Sequence, residues 1–170
     1  DELLIVSAPL DSNGPRGPIY STFKNLDITT LDDGNSVVAW TQDGRDLFYQ
    51  LIDDTGQSIG VPIQSSAFRN SPTIAVNAMS DGGFILSWQE IGPFLQRYDA
   101  TGVSQGEIIK IDPFDEADVF GHSVKTLSDG SFIVTWTERV SVVDGIADDE
   151  NFMQFFDSSG QVVGEKIQIS

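Results

Sequence analysis

The stretch "SDGSFIVTW" (residues 128–136) predicts a β-strand entered through a tight turn, and related stretches occur twice more in the chain. They are "LDDGNSVVAW" (31–40) and "SDGGFILSW" (80–88). In each copy an Asp-Gly pair, a strong hairpin signal, precedes an apolar run that ends in tryptophan. The chain therefore contains three copies of one structural unit.

A constant interval separates the copies. Trp40, Trp88 and Trp136 are 48 residues apart, and the Asp-Gly pairs of the turns keep that interval. A second block follows each tryptophan, at residues 50–60, 96–106 and 154–164, and reads Gln, two residues, Asp, two residues, Gly, three residues, Gly. A period of this size indicates a repeat architecture.

Each unit contains four short apolar segments separated by turn signals, which predicts a four-stranded antiparallel meander. The second strand of each unit is not consistently polar on either face: in the middle unit Phe84, Leu86 and Trp88 alternate with Ile85 and Ser87. This pattern suits a sheet sandwiched between neighbouring sheets, as in stacked propeller blades. We therefore predict an all-β, propeller-type fold of three four-stranded repeats, forming a single domain over residues 1–170.

The units extend over residues 19–65, 66–112 and 113–170, and residues 1–7, "DELLIVS", align with the final strands of the later units. This N-terminal segment is predicted to be an orphan outer strand. A closed propeller usually has about four to eight blades. Three blades therefore imply either a segment of a longer repeat protein or two copies that close a six-bladed ring. A β-trefoil, which also has three four-stranded repeats, is the alternative fold.

The composition limits the classes of partner. The chain has 26 acidic and 9 basic residues and a formal charge of −17, so a nucleic acid partner would be repelled. The same charge favours Ca²⁺, although the acidity alone also keeps a protein soluble. There is no cysteine, which excludes disulfides and thiolate chemistry. No apolar run approaches the ~20 residues of a membrane span, so no membrane insertion is expected.

The connection between the second and third strands is irregular. From the tryptophan to the glutamine it measures 10, 8 and 18 residues in the three units, so the third unit carries an insertion, "RVSVVDGIADDEN" (139–151). Within it lie Asp144, Asp148, Asp149 and Glu150. Carboxylate oxygens suit a hard cation, and the insertion is therefore a candidate Ca²⁺ site on a loop. The alternative is a solvated acidic loop.

Candidate catalytic groups are few. His122 is the only histidine, no Gly-x-Ser-x-Gly motif occurs, and no carboxylate pair stands out from the turn aspartates, so we predict no catalytic residues. The three tryptophans occupy the repeated packing position and are expected in the core. Tyr20, Tyr49, Phe94 and Phe114 lie outside the fixed pattern or beside loops, and are the better candidates for exposed, glycan-stacking rings.

The run "SPTIAVNAMSDGGFILSW" (71–88), followed by "QRYDATG" (96–102) and "GEIIKID" (106–112), resembles the tandem repeats of very large secreted bacterial surface proteins. These include long adhesins and haemolysin-type calcium-binding proteins. The outer units depart from the pattern, with Leu51 and Phe155 at the position of Arg97. The resemblance implies a non-enzymatic extracellular or cell-surface module that acts in adhesion, in ligand binding, with a glycan as one candidate, or in self-assembly. The alternatives are a purely structural oligomerising scaffold and a glycosidase-like propeller enzyme.

Overall fold

A computed structural model describes residues 22–67, 73–90, 92–111, 118–143 and 146–169. These residues form twelve β-strands: β1 (Phe23–Thr30), β2 (Ser36–Gln42), β3 (Asp46–Ile52), β4 (Ser58–Ala67), β5 (Ile74–Ala78), β6 (Phe84–Glu90), β7 (Gly92–Tyr98), β8 (Ser104–Lys110), β9 (Asp118–Thr126), β10 (Phe132–Val143), β11 (Ile146–Phe156) and β12 (Val162–Gln168). The orphan strand predicted at residues 1–7 lies outside the described part of the chain.

The strands form three separate four-stranded sheets, which we call blades. Blade 1 contains β1 to β4, blade 2 contains β5 to β8 and blade 3 contains β9 to β12, each in sequential antiparallel order. Each repeat of the sequence thus builds one complete meander. The prediction of three four-stranded antiparallel repeats is confirmed.

The two turns of each blade have the same geometry in every repeat. In the first, Gly34, Gly82 and Gly130 adopt φ values of 89°, 86° and 84°, which residues with a side chain rarely adopt. In the second, the glycines three residues after the aspartate adopt φ values of 87°, 82° and 89°. The Asp-Gly and Asp-x-x-Gly signals therefore mark hairpin turns, as the sequence predicts.

The blades stack face to face in one direction. We call the side of a blade on which its tryptophan lies the tryptophan face, and the other side the reverse face. The reverse face of blade 1, with Val37, Ala39 and Tyr49, packs in one apolar cluster against Phe84 and Trp88 on the tryptophan face of blade 2. A second cluster joins the reverse face of blade 2 to the tryptophan face of blade 3 through Met79, Ile85, Leu95, Val124, Phe132, Val134, Trp136, Phe152 and Phe156.

Because it lies between the other two, blade 2 is buried on both faces. All side chains of β6 from Phe84 to Trp88 are at most 2 % exposed. In the end blades, by contrast, Val38 of β2 and Ile133 of β10 are only half-buried. The apolar character of both faces in the middle repeat therefore follows from its position in the stack.

The innermost and outermost strands have different environments. The inner strands β1 and β5 are in contact: Asp27 Oδ2 accepts a hydrogen bond from the Val76 amide at 2.8 Å, and Thr29 Oγ1 accepts one from the Ala78 amide at 3.3 Å. The outer strand β12 is exposed along its whole length. Blades whose inner strands converge and whose outer strands face solvent form a propeller-type arrangement, and the β-trefoil alternative is wrong.

Candidate functional site

The turn aspartates of the repeat are occupied by their own turns. Asp99 Oδ1 accepts hydrogen bonds from the Thr101 hydroxyl and amide and from the Val103 amide, at 2.7 to 3.0 Å. The Thr101 hydroxyl, followed by the Val103 amide, lowers the pKa of Asp99. Asp53 and Asp157 make the equivalent contacts and also have lowered pKa values. These carboxylates therefore stabilise turns.

The repeated glutamines are buried backbone clamps. Gln96 is 5 % exposed, and its Nε2 donates to the carbonyls of Arg97, Gln105 and Gly106 at 3.0 to 3.3 Å. Gln154 makes the same three contacts in blade 3. Here the last strand of the blade departs from regular pairing, and the side-chain amide supplies a donor to carbonyls at the irregularity. The glutamines therefore hold the outer strands in place.

The repeated tryptophans are core residues, as predicted. Each stacks on the phenylalanine directly opposite in the next strand, in the pairs Trp40–Phe48, Trp88–Phe94 and Trp136–Phe152, with ring centroids 5.9 to 6.3 Å apart. Phe94 thus belongs to a repeated packing pair and is half-buried.

The prediction that Tyr49 is exposed is wrong. It is 1 % exposed, and its hydroxyl donates to the Gly102 carbonyl at 2.6 Å across the interface between blades 1 and 2. Burial is the main cause that raises the pKa of Tyr49 above its ordinary value. Tyr20 and Phe114, the other two ring candidates, lie outside the described residues.

A cavity of about 300 Å³ lies between blades 1 and 2, next to this tyrosine. The Tyr98 ring packs against Tyr49 in a tilted arrangement, with ring centroids 4.9 Å apart, and the Tyr98 and Ser65 hydroxyls are hydrogen bonded at 2.6 Å. Gln64 and Ser104 add exposed polar groups to the lining. Hydroxyl and amide groups beside aromatic rings are the surfaces that bind sugars and other polar neutral ligands.

A second, more open cavity of about 490 Å³ lies on blade 3. It is lined by residues of β9 and β10 and by two further residues: Gly121, His122, Ser123, Thr135, Trp136, Thr137, Asn151 and Ile169. In the described part of the chain, no acidic side chain lines either this cavity or the one between blades 1 and 2.

His122 links blade 3 to blade 2. Its Nε2 lies 3.1 Å from the Ser87 hydroxyl, while Nδ1 is buried without a hydrogen-bond partner among the described residues. Burial lowers the pKa of His122 from 6.5 to about 4, so the ring is neutral near pH 7. Among the residues that the structure describes, no carboxylate is hydrogen bonded to the ring as in a catalytic triad.

Blade 3 also contains a buried ion pair, formed by Glu138 and Lys166. Glu138 is 6 % exposed, and its carboxylate accepts hydrogen bonds from Trp136 Nε1 at 2.6 Å and from Lys166 Nζ at 2.7 and 2.9 Å. The Lys166 ammonium lies 4.1 Å from the centre of the Phe152 ring. The equivalents of Glu138, 48 and 96 residues earlier, are Glu90 and Gln42. The pair anchors the outer strand of blade 3 to its centre.

The candidate calcium residues lie on a strand, and the prediction that they lie on a loop is wrong for the described ones. Asp148, Asp149 and Glu150 belong to β11, which pairs with β10 in a long hairpin, and Asp144 lies outside the described residues. Asp149 Oδ1 accepts a hydrogen bond from Arg139 Nε at 3.0 Å. Within residues 22–67, 73–90, 92–111, 118–143 and 146–169, no group of three acidic or histidine side chains is close enough to hold a metal ion.

The end faces of the stack are more open than the internal ones. Ile28 on the tryptophan face of blade 1 is 62 % exposed, whereas its equivalents in the other blades, Val76 and Val124, are 4 % and 5 % exposed. At the other end of the stack, Ile133 and Thr135 on the reverse face of blade 3 are half-buried, although the equivalent side chains of blade 2 are fully buried. At these positions the end faces are therefore less covered than the internal ones, although Trp40 on the same face of blade 1 is only 2 % exposed.

No protein-family model matches the chain, and no curated protein sequence matches it either. Among solved structures, the chain is similar to a GH43 endo-arabinanase from Bacillus licheniformis, with 18 % sequence identity and a TM-score of 0.48 over 85 % of this chain. The match covers 58 % of the enzyme, so the chain spans a little over half of its length. No helix within the described residues is long and apolar enough to cross a membrane.

Proposed function

We propose that the chain is a non-enzymatic extracellular β-repeat module of a bacterial surface, and that its function is adhesion and assembly through the stacking of propeller blades. The observation that carries this proposal is the exposure of Ile28, 62 % against 4 % and 5 % at the two equivalent positions. The groups repeated in every unit are used in turns, strand clamps and core packing. The uncovered end faces are the surfaces left for binding.

Sedimentation velocity over a concentration series tests the assembly function. We expect a concentration-dependent species of twice the 18.5 kDa chain mass, which corresponds to two copies completing six blades. A single 18.5 kDa species at concentrations of tens of micromolar would contradict it. If the assembly forms but the protein neither adheres to cells nor binds a ligand, its function is that of a purely structural scaffold.

The cavity between blades 1 and 2 supports a second candidate function, the binding of a glycan. Tyr98, Ser65, Gln64 and Ser104 provide hydroxyl and amide groups beside aromatic rings, and none of the described residues that line the cavity is charged. A neutral polar ligand fits this chemistry better than an ionic one.

A glycan array followed by titration calorimetry tests this candidate. We expect Gln64→Ala to weaken binding of any glycan found, because it removes an exposed amide from the cavity lining. Gln161→Ala, at an exposed turn of blade 3, is the matched control and should leave binding unchanged. A correctly folded protein that binds no glycan on the array would contradict the candidate.

The glycosidase alternative requires two carboxylates about 5 to 9 Å apart in a cleft. Glu138 is already bound by Lys166 and Trp136. Release of reducing ends from a panel of polysaccharides would revive the enzyme alternative, and we expect none.

A further inference from the structure

We propose that a second copy of this chain covers the open tryptophan face of blade 1, and that it binds there through the reverse face of its own blade 3. The proposal rests on the assembly function above and specifies the surfaces, the polarity and the register of the contact.

The polarity follows from the internal interfaces. In both, the reverse face of one blade packs on the tryptophan face of the next. These two interfaces do not use the tryptophan face of blade 1 or the reverse face of blade 3. These faces are of different kinds, so two copies meet head to tail, which makes a heterologous contact and closes a ring when the rotation allows it.

The glycines of the second turns differ in how closely a neighbouring blade approaches them. A methyl group placed on Gly102 would lie 3.3 Å from Leu51 and Tyr49 of the preceding blade, and one on Gly160 would lie 2.6 Å from Ile109 of blade 2. A methyl group on Gly56, the equivalent position in blade 1, would have no atom within 4 Å. Among the described residues, the second turn of blade 1 therefore lacks the close neighbour that the equivalent turns of blades 2 and 3 have.

The other half of the contact includes Ser123 and Thr135, the paired reverse-face residues in the lining of the 490 Å³ cavity on blade 3. Its Thr135 is the equivalent of Ser87, which is 1 % exposed in blade 2 because His122 of the next blade covers it. Two repeats before His122 lies Leu26, an apolar side chain that is 74 % exposed on β1. By its place in the repeat, Leu26 of a second copy would lie near Thr135, although the pairing of β1 is irregular between Lys24 and Asp27.

The register follows from the contact between inner strands. Within the chain, position 27 of blade 1 binds the amide of position 76 in blade 2. One repeat before Val76 is Ile28, and two repeats after Asp27 is Ser123, which is exposed. Ser123 of one copy therefore lies beside Ile28 of the other.

Disulfide trapping tests this register, and the absence of native cysteine makes the result unambiguous. Single variants Ile28→Cys and Ser123→Cys are purified separately, mixed and oxidised. Both positions are exposed on strands, so the substitutions do not disturb a core. We expect a cross-linked dimer in the mixture and none in either variant alone, because a disulfide requires Cα atoms within about 7 Å.

The matched control replaces Ile28→Cys by Val61→Cys, on the outer strand of the same blade, where the native side chain is 75 % exposed. Equal yield with this control, or equal cross-linking of Ile28→Cys with itself, would overturn the head-to-tail contact. So would the absence of any cross-link in a sample that sedimentation shows to be dimeric.

A second pair of variants separates this contact from assembly in general. We expect Ile28→Asp to raise the dimer dissociation constant at least about ten-fold, because it places a charge in a desolvated contact. Val61→Asp changes the net charge equally and should leave the constant unchanged. An unmodified protein that stays monomeric overturns both the function and the contact, whereas a dimer insensitive to Ile28→Asp overturns the contact alone.

Discussion

Replacement of His122 by isoleucine gives the clearest link between one buried group and the stability of the blade stack. The repeat itself places Ile74 at the equivalent position of blade 2, where it is 8 % exposed, so the substitution suits the site sterically. Ser87, the partner of His122, retains its hydrogen bond to the Ala75 carbonyl at 3.3 Å. The variant therefore removes a titratable ring and leaves no polar group newly stranded.

The size of the effect follows from the pKa. Burial lowers the pKa of His122 from 6.5 to about 4. Above pH 6.5 the ring is neutral in both the folded and the unfolded chain, and its titration costs no stability. As the pH falls below 6.5, only the unfolded chain gains the proton, so stability is lost until the folded pKa is reached. Between about pH 7.5 and about pH 4.5 the loss is about 2.5 kcal/mol.

Urea unfolding followed by tryptophan fluorescence measures this loss, since all three tryptophans are buried. The free energy of unfolding of the native chain minus that of His122→Ile should fall by about 2.5 kcal/mol over this range. Comparing the two proteins cancels the titration of the many carboxylates that both contain. A difference that stays constant with pH would refute the claim that His122 is buried as a neutral ring between blades 2 and 3.

Three further predictions concern the clamp, the ion pair and calcium. Gln96→Leu should lower the free energy of unfolding by about 1–3 kcal/mol in urea titrations, because three carbonyls lose a buried donor; an unchanged midpoint would contradict the clamp. Glu138→Ala should lower the free energy of unfolding by about 1–3 kcal/mol, because Trp136 and Lys166 lose their shared acceptor. Glu90→Ala in blade 2 is the exposed control, and equal effects of the two substitutions would contradict a structural ion pair. If the acidic insertion binds Ca²⁺, millimolar Ca²⁺ should raise the melting temperature and chelator should lower it; identical melting curves would remove the calcium proposal.

The repeat and the blades could be predicted from the sequence because their signals are local. An Asp-Gly pair or an Asp-x-x-Gly block marks its turn whatever surrounds it, and the interval of 48 residues shows that the unit recurs. The alternation around Phe84 and Ile85 also showed that the middle sheet is covered on both sides.

The failures concern side chains whose environment is set by a neighbouring blade. The Tyr49 side chain has an apolar ring and a polar hydroxyl, so its residue type alone predicts neither burial nor exposure. Its burial depends on the Gly102 carbonyl of blade 2, which accepts a hydrogen bond from the hydroxyl. In the sequence Phe94 follows a short connection, which suggests a position beside a loop. In the structure it lies directly opposite Trp88 in the next strand. Contacts between sheets are not encoded in the spacing within one sheet.

The strand structure of the insertion in the third unit could not be predicted from the sequence for a related reason. Its length and acidic residues suggest a loop, but Arg139 of β10 lies opposite Asp149 of β11, and the two strands extend the hairpin through this pairing. A signal for the open face of blade 1 did exist in the sequence. Ser36 occupies the position of the buried Phe84 and Phe132, as expected for a face that neither of the other two described blades covers.

Amide hydrogen exchange of the unmodified protein, measured below and above the concentration at which it assembles, tests whether two copies meet through the end faces. Exchange should slow with concentration in β1 (Phe23–Thr30) and β9 (Asp118–Thr126), the inner strands of the two end faces, and stay constant in the outer strand β8 (Ser104–Lys110). Exchange in β1 and β9 that is independent of concentration in a protein that does assemble would contradict it.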